Sequence, residues 1–588
     1  MKKIVLLLVV LVSVGCFAQS AGQKISDKLD MVLQNSGSDD EILIWIFFSD
    51  KGENLEAYFT NPPSVVSEKS LRRRAKVLSD NKLISKTDFP VYQNYITQVE
   101  SAGFKLKQKT KWFNGVSGWV KKSELVKIAD LQFVKQLDIV HRFRKDNLEE
   151  ESLDNEKENS GQNFSKPEDI HTFNYGQSFT QLSQITVPQV HDLGYTGSGV
   201  TICLMDAGFD RWTTHEVFDS MNVIATWDFV DDDSDVENGN VGAGSHGTAT
   251  LSIIGGFFEG ELIGTAFGAD FILARTEDIY SETPIEEDNW LAALEWADSI
   301  GVDVTSTSLG YLDFDPRGGP PGPEDYTWQD MDGNTARITI GADLAVGLGI
   351  FVVNSAGNEG FVSPPENTLG APADGDSVLA AGGVTSSGSR WSFSSVGPTA
   401  DGRIKPDLMA MSLNTYHASS SCNNCFNGNG GGTSYSCPLI AGASALILQA
   451  DPSLTPMELM TVLKTYSSRS SNPDNLMGWG IISTYASVQS VITNVDDDNI
   501  PEDFYILKNY PNPFNPSTKI QFAVPERSEV KLTLHDVLGR EIKVLFNDEV
   551  ESGLHEYQLS SDNLSSGVYF IRMTSSNFNK SLKISLLK

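Results

Sequence analysis

The feature that most constrains the fold is a series of five short, nearly uninterrupted apolar runs: Val200 to Met205, Phe271 to Arg275, Val302 to Ser308, Ile350 to Ser355 and Val378 to Val384. The stretches between them are long enough to form helices. Strands read as continuous apolar runs when both of their faces are covered, and alternation with helices joins them as parallel neighbours. The sequence therefore predicts an α/β domain over residues 184–494, a three-layer sandwich with a mainly parallel sheet. In such a sheet the ligand crevice lies beyond the carboxyl ends of the strands, so the polar residues closing each run come first.

Asp206 closes the first run in Leu204-Met205-Asp206-Ala207-Gly208 and presents a carboxylate at the crevice. His246 stands in Gly244-Ser245-His246-Gly247-Thr248-Ala249-Thr250, before Leu251, Ile253 and Ile254, which places its imidazole at the start of a helix. Ser434, in Gly431-Gly432-Thr433-Ser434-Tyr435-Ser436-Cys437-Pro438, precedes an apolar run to Leu448 whose helix would turn its free N–H groups toward the serine. Singly, each has an ordinary reading as a turn residue, a helix cap and a loop hydroxyl. Together they supply a nucleophile, the base that takes its proton, and the carboxylate that orients that base.

The chain order Asp, His, Ser and the segments Asp206-Ala207-Gly208, Ser245-His246-Gly247-Thr248-Ala249 and Gly432 to Pro438 resemble the subtilisin-like serine proteases, the subtilases of the S8 type. Asn358, in Ser355-Ala356-Gly357-Asn358-Glu359-Gly360, offers a side-chain amide to a developing oxyanion, with the Ser434 backbone N–H as second donor. The resemblance further implies that Ser308, Leu309 and Gly310 pair with an extended substrate, and that Ser355, Ala356 and Gly357 wall the pocket for the residue preceding the cut. Ala207 and Ala249-Thr250 depart from the family pattern without removing a catalytic group. Tyr311 to Arg337 reads as a Gly- and Pro-rich insertion beside the cleft carrying Asp330, Asp332 and Asn334, and Glu359 could favour basic or polar side chains at the pocket rim.

No organic cofactor is required. Structural calcium is implied by the family but not placed. Asp231-Asp232-Asp233-Ser234-Asp235 offers oxygen ligands, yet it lacks the EF-hand spacing and reads equally as a solvated acidic turn. Cys422 and Cys425 form a local disulfide or half of a zinc site, the former favoured because no second pair accompanies them. Cys203 and Cys437 read as small buried hydrophobes.

The flanks set the compartment. Lys2 and Lys3 before the apolar run Ile4 to Val12 mark a signal peptide cleaved near Ala18, residues 1–18, in preference to a lipoprotein site at Cys16. Residues 19–145 contain strand signals at Ile42 to Phe48, Gly115 to Val120 and Phe133 to Val140, and helix signals at Val91 to Gly103 and Lys122 to Leu131. They suggest a small α+β, ferredoxin-like βαββαβ unit, similar in order to the inhibitory propeptides of secreted subtilases. Its basic segment Ser67 to Lys76, with Arg72, Arg73 and Arg74, is either a contact surface for the enzyme or a solvated helix face, and the second reading is favoured. Residues 146–183 are an acidic linker and lead-in; seven acids stand against one lysine between Asp146 and Glu158, and maturation is expected between Arg142 and Asn174.

After a linker at 495–508, residues 509–588 alternate apolar and polar at Val530, Leu532, Leu534 and again at Leu582, Ile584, Leu586, the pattern of a small all-β sandwich. Tyr510-Pro511-Asn512-Pro513, Asp536-Val537-Leu538-Gly539-Arg540 and Leu564 to Tyr569 resemble the type A C-terminal sorting domain of the type IX secretion system. That implies export across the outer membrane of a Gram-negative bacterium, to be released or held at the cell surface. With 44 Lys and Arg against 77 Asp and Glu, the net charge of −33 argues against nucleic acid as a partner. The expected partners are protein or peptide substrates, the secretion machinery and the chain's own propeptide, with the enzyme a monomer. The expected function is a secreted serine endopeptidase; the rival is a catalytically silent surface adhesion protein, and esterase action shares the same machinery.

Overall fold

The computed structural model describes residues 24–53, 55–140, 171–237, 244–277, 286–311, 326–360, 367–493, 505–510, 514, 516–525, 527–551, 553–561, 564–575 and 578–586. The signal peptide, residues 141–170, which hold most of the acidic linker and of the expected maturation span, and residues 312–325 of the predicted insertion lie outside the described residues.

Four strands form the amino-terminal sheet: β1 (Glu41–Phe48), β2 (Lys105–Thr110), β3 (Gly115–Lys121) and β4 (Val134–Ile139), in the antiparallel order β2-β3-β1-β4. The helices around them are α1 (Asp27–Asn35), α2 (Glu68–Arg74), α3 (Gln93–Ser101) and α4 (Leu125–Ala129). The order is that of a ferredoxin-like unit. One core contains Ile42, Ile44, Ile46, Ile96, Val99, Leu125 and Ile128, drawn from β1, α3 and α4. β2 gave no sequence signal because it is a polar edge strand, Lys-Leu-Lys-Gln-Lys-Thr, with only its last residue buried.

The α/β domain is a three-layer sandwich around a seven-stranded sheet. Its strands are β5 (Thr201–Asp206), β6 (Asn222–Asp228), β7 (Asp270–Arg275), β8 (Val304–Thr307), β9 (Phe351–Ser355), β10 (Leu379–Val384) and β11 (Leu408–Met411), in the order β11-β10-β9-β8-β5-β7-β6. Every pairing is parallel. Five of these strands are the predicted apolar runs. β6 was illegible because it is a half-exposed edge strand; the strand at the other edge, β11, is as short as β8 and was not singled out. The helices α5 (Gly244–Gly255) and α8 (Thr433–Ala450) pack on each other, with α8 lying across β8 to β11, while α6 (Glu286–Ile300) and α7 (Arg337–Gly347) form a second pair. Among the described residues no helix is long and apolar enough to cross a membrane.

The amino-terminal unit packs against α6. Gln108 donates to Asn289 at 2.9 Å, and the Lys111 and Trp112 amides donate to the Glu295 carboxylate at 2.8 and 3.1 Å. The expectation of a solvated face for Arg72 to Arg74 is corrected here. Arg72 alone is solvated; Arg73 and Arg74 are 2% and 0% exposed because both meet the buried Asp298 of α6.

The carboxy-terminal residues form two facing sheets. β12 (Tyr505–Tyr510), β13 (Ser517–Val524) and β16 (Gly553–Ser560) make one, in the order β12-β13-β16. β14 (Ser528–His535), β15 (Glu541–Val550), β17 (Gly567–Ser575) and β18 (Phe578–Leu586) make the other, in the order β15-β14-β17-β18. Ile520 and Phe522 from one, with Val530, Leu532, Leu534, Ile584 and Leu586 from the other, fill a common core, which is the predicted sandwich.

One buried histidine is expected to make the α/β domain sensitive to acid. His191 is 2% exposed, its Nε2 bonded to the Thr265 carbonyl and its Nδ1 to the Tyr175 hydroxyl, both at 2.9 Å. Burial lowers its pKa to about 4, against the Thr265 carbonyl and Asp192, which pull it up. A histidine depressed in the folded state contributes stability above its unfolded pKa, and that contribution is lost as pH falls from about 6.5 toward 4. In denaturant unfolding, the stability gap between the unsubstituted chain and His191→Gln is expected to narrow by about 3 kcal/mol between pH 7.5 and 4. A constant gap would refute this.

Candidate active site

The polar residues gather at the carboxyl ends of the central strands, where β5 and its neighbours β7 and β8 leave the crevice predicted by topology. Asp206 is the last residue of β5 and 1% exposed. Its Oδ1 lies 2.7 Å from His246 Nδ1 and accepts the Ala207 N–H at 2.8 Å. The imidazole reaches it because the start of α5 sits directly on the turn after β5. A Cβ on Gly247 would come within 2.0 Å of the Gly208 carbonyl oxygen, so glycine after the histidine is a condition of this approach.

Two features here went unread in the sequence. Thr250, noted only as a departure from the family pattern, donates its hydroxyl to Asp206 Oδ2 at 3.1 Å, with the Gly247 carbonyl as its other acceptor at 3.1 Å. Its position four residues after His246, on the same helix face, was the available signal. Both carboxylate oxygens of Asp206 are thereby held. The second feature involves Ser308. Pro438, inside α8, has no N–H to give the Ser434 carbonyl four residues earlier, and Ser308 Oγ donates to that carbonyl at 2.8 Å instead. In return Ser434 Oγ donates to the Ser308 carbonyl at 2.9 Å. The two serines are locked together, with Ser434 in the first turn of α8 and Ser308 directly after β8.

Asn358 is fixed by Thr433. The Thr433 N–H and hydroxyl both donate to Asn358 Oδ1, at 2.9 and 3.0 Å, which leaves the Nδ2 end of the amide to face the turn. Gly432 supplies that turn at φ +141°, and a Cβ there would lie 3.6 Å from Asn358 Nδ2 and 3.8 Å from the Ser434 amide nitrogen. The Asn358 amide, through both Nδ2 and Oδ1, and the Ser434 amide nitrogen thus lie around the Gly432 turn. Leu309, Ser355 and Ala356 are buried beneath them: the Leu309 carbonyl accepts from Asn354 Nδ2 at 2.9 Å and Ser355 Oγ at 3.3 Å, and the Ala356 carbonyl accepts from Gly370. Gly357 carries φ +109° and its N–H donates to Thr433 Oγ1 at 3.2 Å, while Gly310 is exposed.

The acidic turn 231–235 is organised from within. Arg275 binds Asp228 and Asp231 at 2.6 and 2.8 Å, Asp228 Oδ1 accepts from the Val230 and Asp231 amides, and Asp233 caps Asp235. Among the described residues no group of three or more His, Cys, Asp or Glu is gathered as for a metal ion. Cys422 and Cys425 are bonded to each other, and Cys203 and Cys437 are buried thiols, that of Cys437 pushed up to about 12 by burial.

An Asp–His pair at the carboxyl end of a central strand in a parallel α/β sheet is the setting to which the family and relative matches give a class, the serine-type endopeptidases. Comparison with known proteins carries this one step further. The Subtilase family (Peptidase S8) matches residues 197–480, the Peptidase S8 propeptide domain of Bacteroidota residues 43–161, and the Secretion system C-terminal sorting domain residues 508–586. Subtilisin NAT of Bacillus subtilis subsp. natto and Subtilisin E of Bacillus subtilis (strain 168) are each 32% identical over 327 residues, 55% of this chain and 74% of theirs. A crystal structure of a cold adapted subtilisin-like serine proteinase is similar at 25% identity and a TM-score of 0.38, covering 50% of this chain and 90% of that one. The chain belongs to the subtilase family. Its sorting domain indicates export to the medium or the cell surface in Bacteroidota.

Proposed function

We propose that the mature protein is an extracellular endopeptidase that cuts protein substrates through an acyl-enzyme. His246 takes the Ser434 proton as Oγ attacks the scissile carbonyl, Asp206 holds the imidazole and balances its charge, and Asn358 Nδ2 with the Ser434 N–H receives the oxyanion. His246 then protonates the leaving amine, and water releases the acyl group by the same relay. Ser308 to Gly310 and Ser355 to Gly357 would flank an extended peptide along the crevice. The observation that most supports this reading is the buried Asp206 carboxylate 2.7 Å from His246 Nδ1, because an adhesion protein has no use for a carboxylate-oriented imidazole.

The test is turnover of casein by the matured protein and its Asn358→Ala variant. Casein cleavage is expected, with kcat lowered about 10²- to 10³-fold in the variant and KM little changed, since the amide acts on charge that exists only in the transition state. Absence of casein cleavage would favour the adhesion reading; turnover confined to simple esters would favour an esterase.

A further inference from the structure

The edge of the catalytic sheet opposite Asp206 and Ser434 carries a second contact with the propeptide, which meets the first at Lys111, whose Nζ donates to Ser299 Oγ at 2.9 Å and lies 3.9 Å from Asp298 Oδ2. There α2 lies across the amino-terminal ends of β5 and β8. The Ser67 N–H and hydroxyl donate to the carbonyls of Ser299 and Ile300, which end α6, at 2.8 and 2.6 Å. Arg73 reaches further in: Nη1 donates to the Val302 carbonyl at 2.7 Å, Nε to the Leu348 carbonyl at 3.1 Å, and Nη2 pairs with Asp298 at 2.5 Å. Arg74 takes the other Asp298 oxygen at 2.5 Å, and Lys69 pairs with Asp303 at 3.1 Å.

The shape of the catalytic domain matches this arm. A Cβ on Gly301 would lie 2.7 Å from the Ser70 amide nitrogen, and one on Gly349 would lie 3.1 Å from the Arg73 carbonyl oxygen, so two glycines with positive φ open the edge to the arm's backbone. The charge matches as well. Leu348 and Val302 stand just past the carboxyl ends of α7 and α6, where unpaired carbonyls carry the negative end of each helix dipole. Asp298 adds a full negative charge beside them, at 0% exposure. A guanidinium keeps its proton and spreads its donors in a plane, which suits a pocket of carbonyls and one carboxylate. Arg74 has an anionic partner within the propeptide, Asp88 at 2.7 Å, whereas Arg73 takes its ion pair from the catalytic domain.

We propose that the amino-terminal edge of the catalytic sheet is a second recognition site for the propeptide: a guanidinium pocket, formed by the converging carboxyl ends of α6 and α7 with Asp298, that accepts Arg73. It holds the arm Ser67 to Leu78 independently of the contact between the propeptide sheet and α6, and its ligand is an arginine-bearing helical segment.

Hydrogen–deuterium exchange on the full chain tests this, in a Ser434→Ala background that prevents self-cleavage. Arg73→Gln leaves Asp298 paired with Arg74. It is expected to speed exchange in Ser67 to Leu78 by about tenfold or more while β3 changes by less than about twofold, with Arg73→Lys between the two. Unchanged exchange in the arm, or equal acceleration of β3, would overturn the proposal. Should Arg73→Gln fail to accumulate, Lys69→Ala, whose side chain is 32% exposed, must give the same pattern at smaller amplitude. A uniform response to it would overturn the proposal equally.

Discussion

Ser434→Ala is expected to lower kcat on casein by about 10⁶-fold, a scale known from removing the equivalent group in subtilisin, and to abolish covalent labelling by a fluorophosphonate. The substitution deletes the only atom that forms the acyl bond, so His246 and Asp206 are left with no proton to move. The oxyanion donors remain, since Asn358 is held by Thr433 and the second donor is a backbone N–H, and they should sustain a residual rate above that of water. The fold should survive. The hydroxyl's hydrogen bond to the Ser308 carbonyl is worth about 1 kcal/mol, and the reverse bond, from Ser308 Oγ to the Ser434 carbonyl, is untouched. Labelling that persists in the variant, or a fall in kcat below about tenfold, would remove Ser434 from the role of nucleophile.

The residues that the sequence singled out were those whose chemistry is unusual where they stand: a carboxylate ending a fully apolar strand, a histidine opening an apolar helix, a serine between glycines and a buried helix. Continuous apolar runs located five of the seven catalytic-domain strands for the same reason, because burial on both faces leaves a strong pattern. What stayed hidden were residues whose role depends on a distant partner. Nothing near Thr433 says that its hydroxyl will bind the amide of Asn358, and nothing near Ser308 says that a proline 130 residues later will leave a carbonyl for it to satisfy. Arg73 and Arg74 mislead for a related reason. Three adjacent arginines normally mark a solvated face, and the partner shared by the two buried ones, Asp298, lies more than two hundred residues away.

Asp206 offers a second large effect and a finer test of the site's geometry. Asp206→Ala is expected to lower kcat by about 10⁴-fold, since the imidazole loses both its orientation and its counter-charge. Asp206→Asn should be milder here, by an argument particular to this site. The Ala207 N–H and His246 Nδ1 both meet Asp206 Oδ1, so the asparagine oxygen is drawn to that position and its NH₂ to the other. There Thr250 can turn its hydroxyl proton to the Gly247 carbonyl, 3.1 Å away, and accept from the new amide. The histidine would keep the tautomer that places its acceptor nitrogen toward Ser434, and only the charge is lost. An ion pair at about 4 Å in a medium of effective dielectric near 20 is worth about 4 kcal/mol, or about 10³ in rate. The expected order of kcat is therefore unsubstituted, then Asn, then Ala. Adding Thr250→Val should cost the Asn variant more than it costs the unsubstituted enzyme, because the new amide loses its acceptor. An Asn variant as slow as the Ala variant would mean that its amide turns its NH₂ toward His246, and would remove from Ala207 and Thr250 the part assigned to them in orienting the carboxylate.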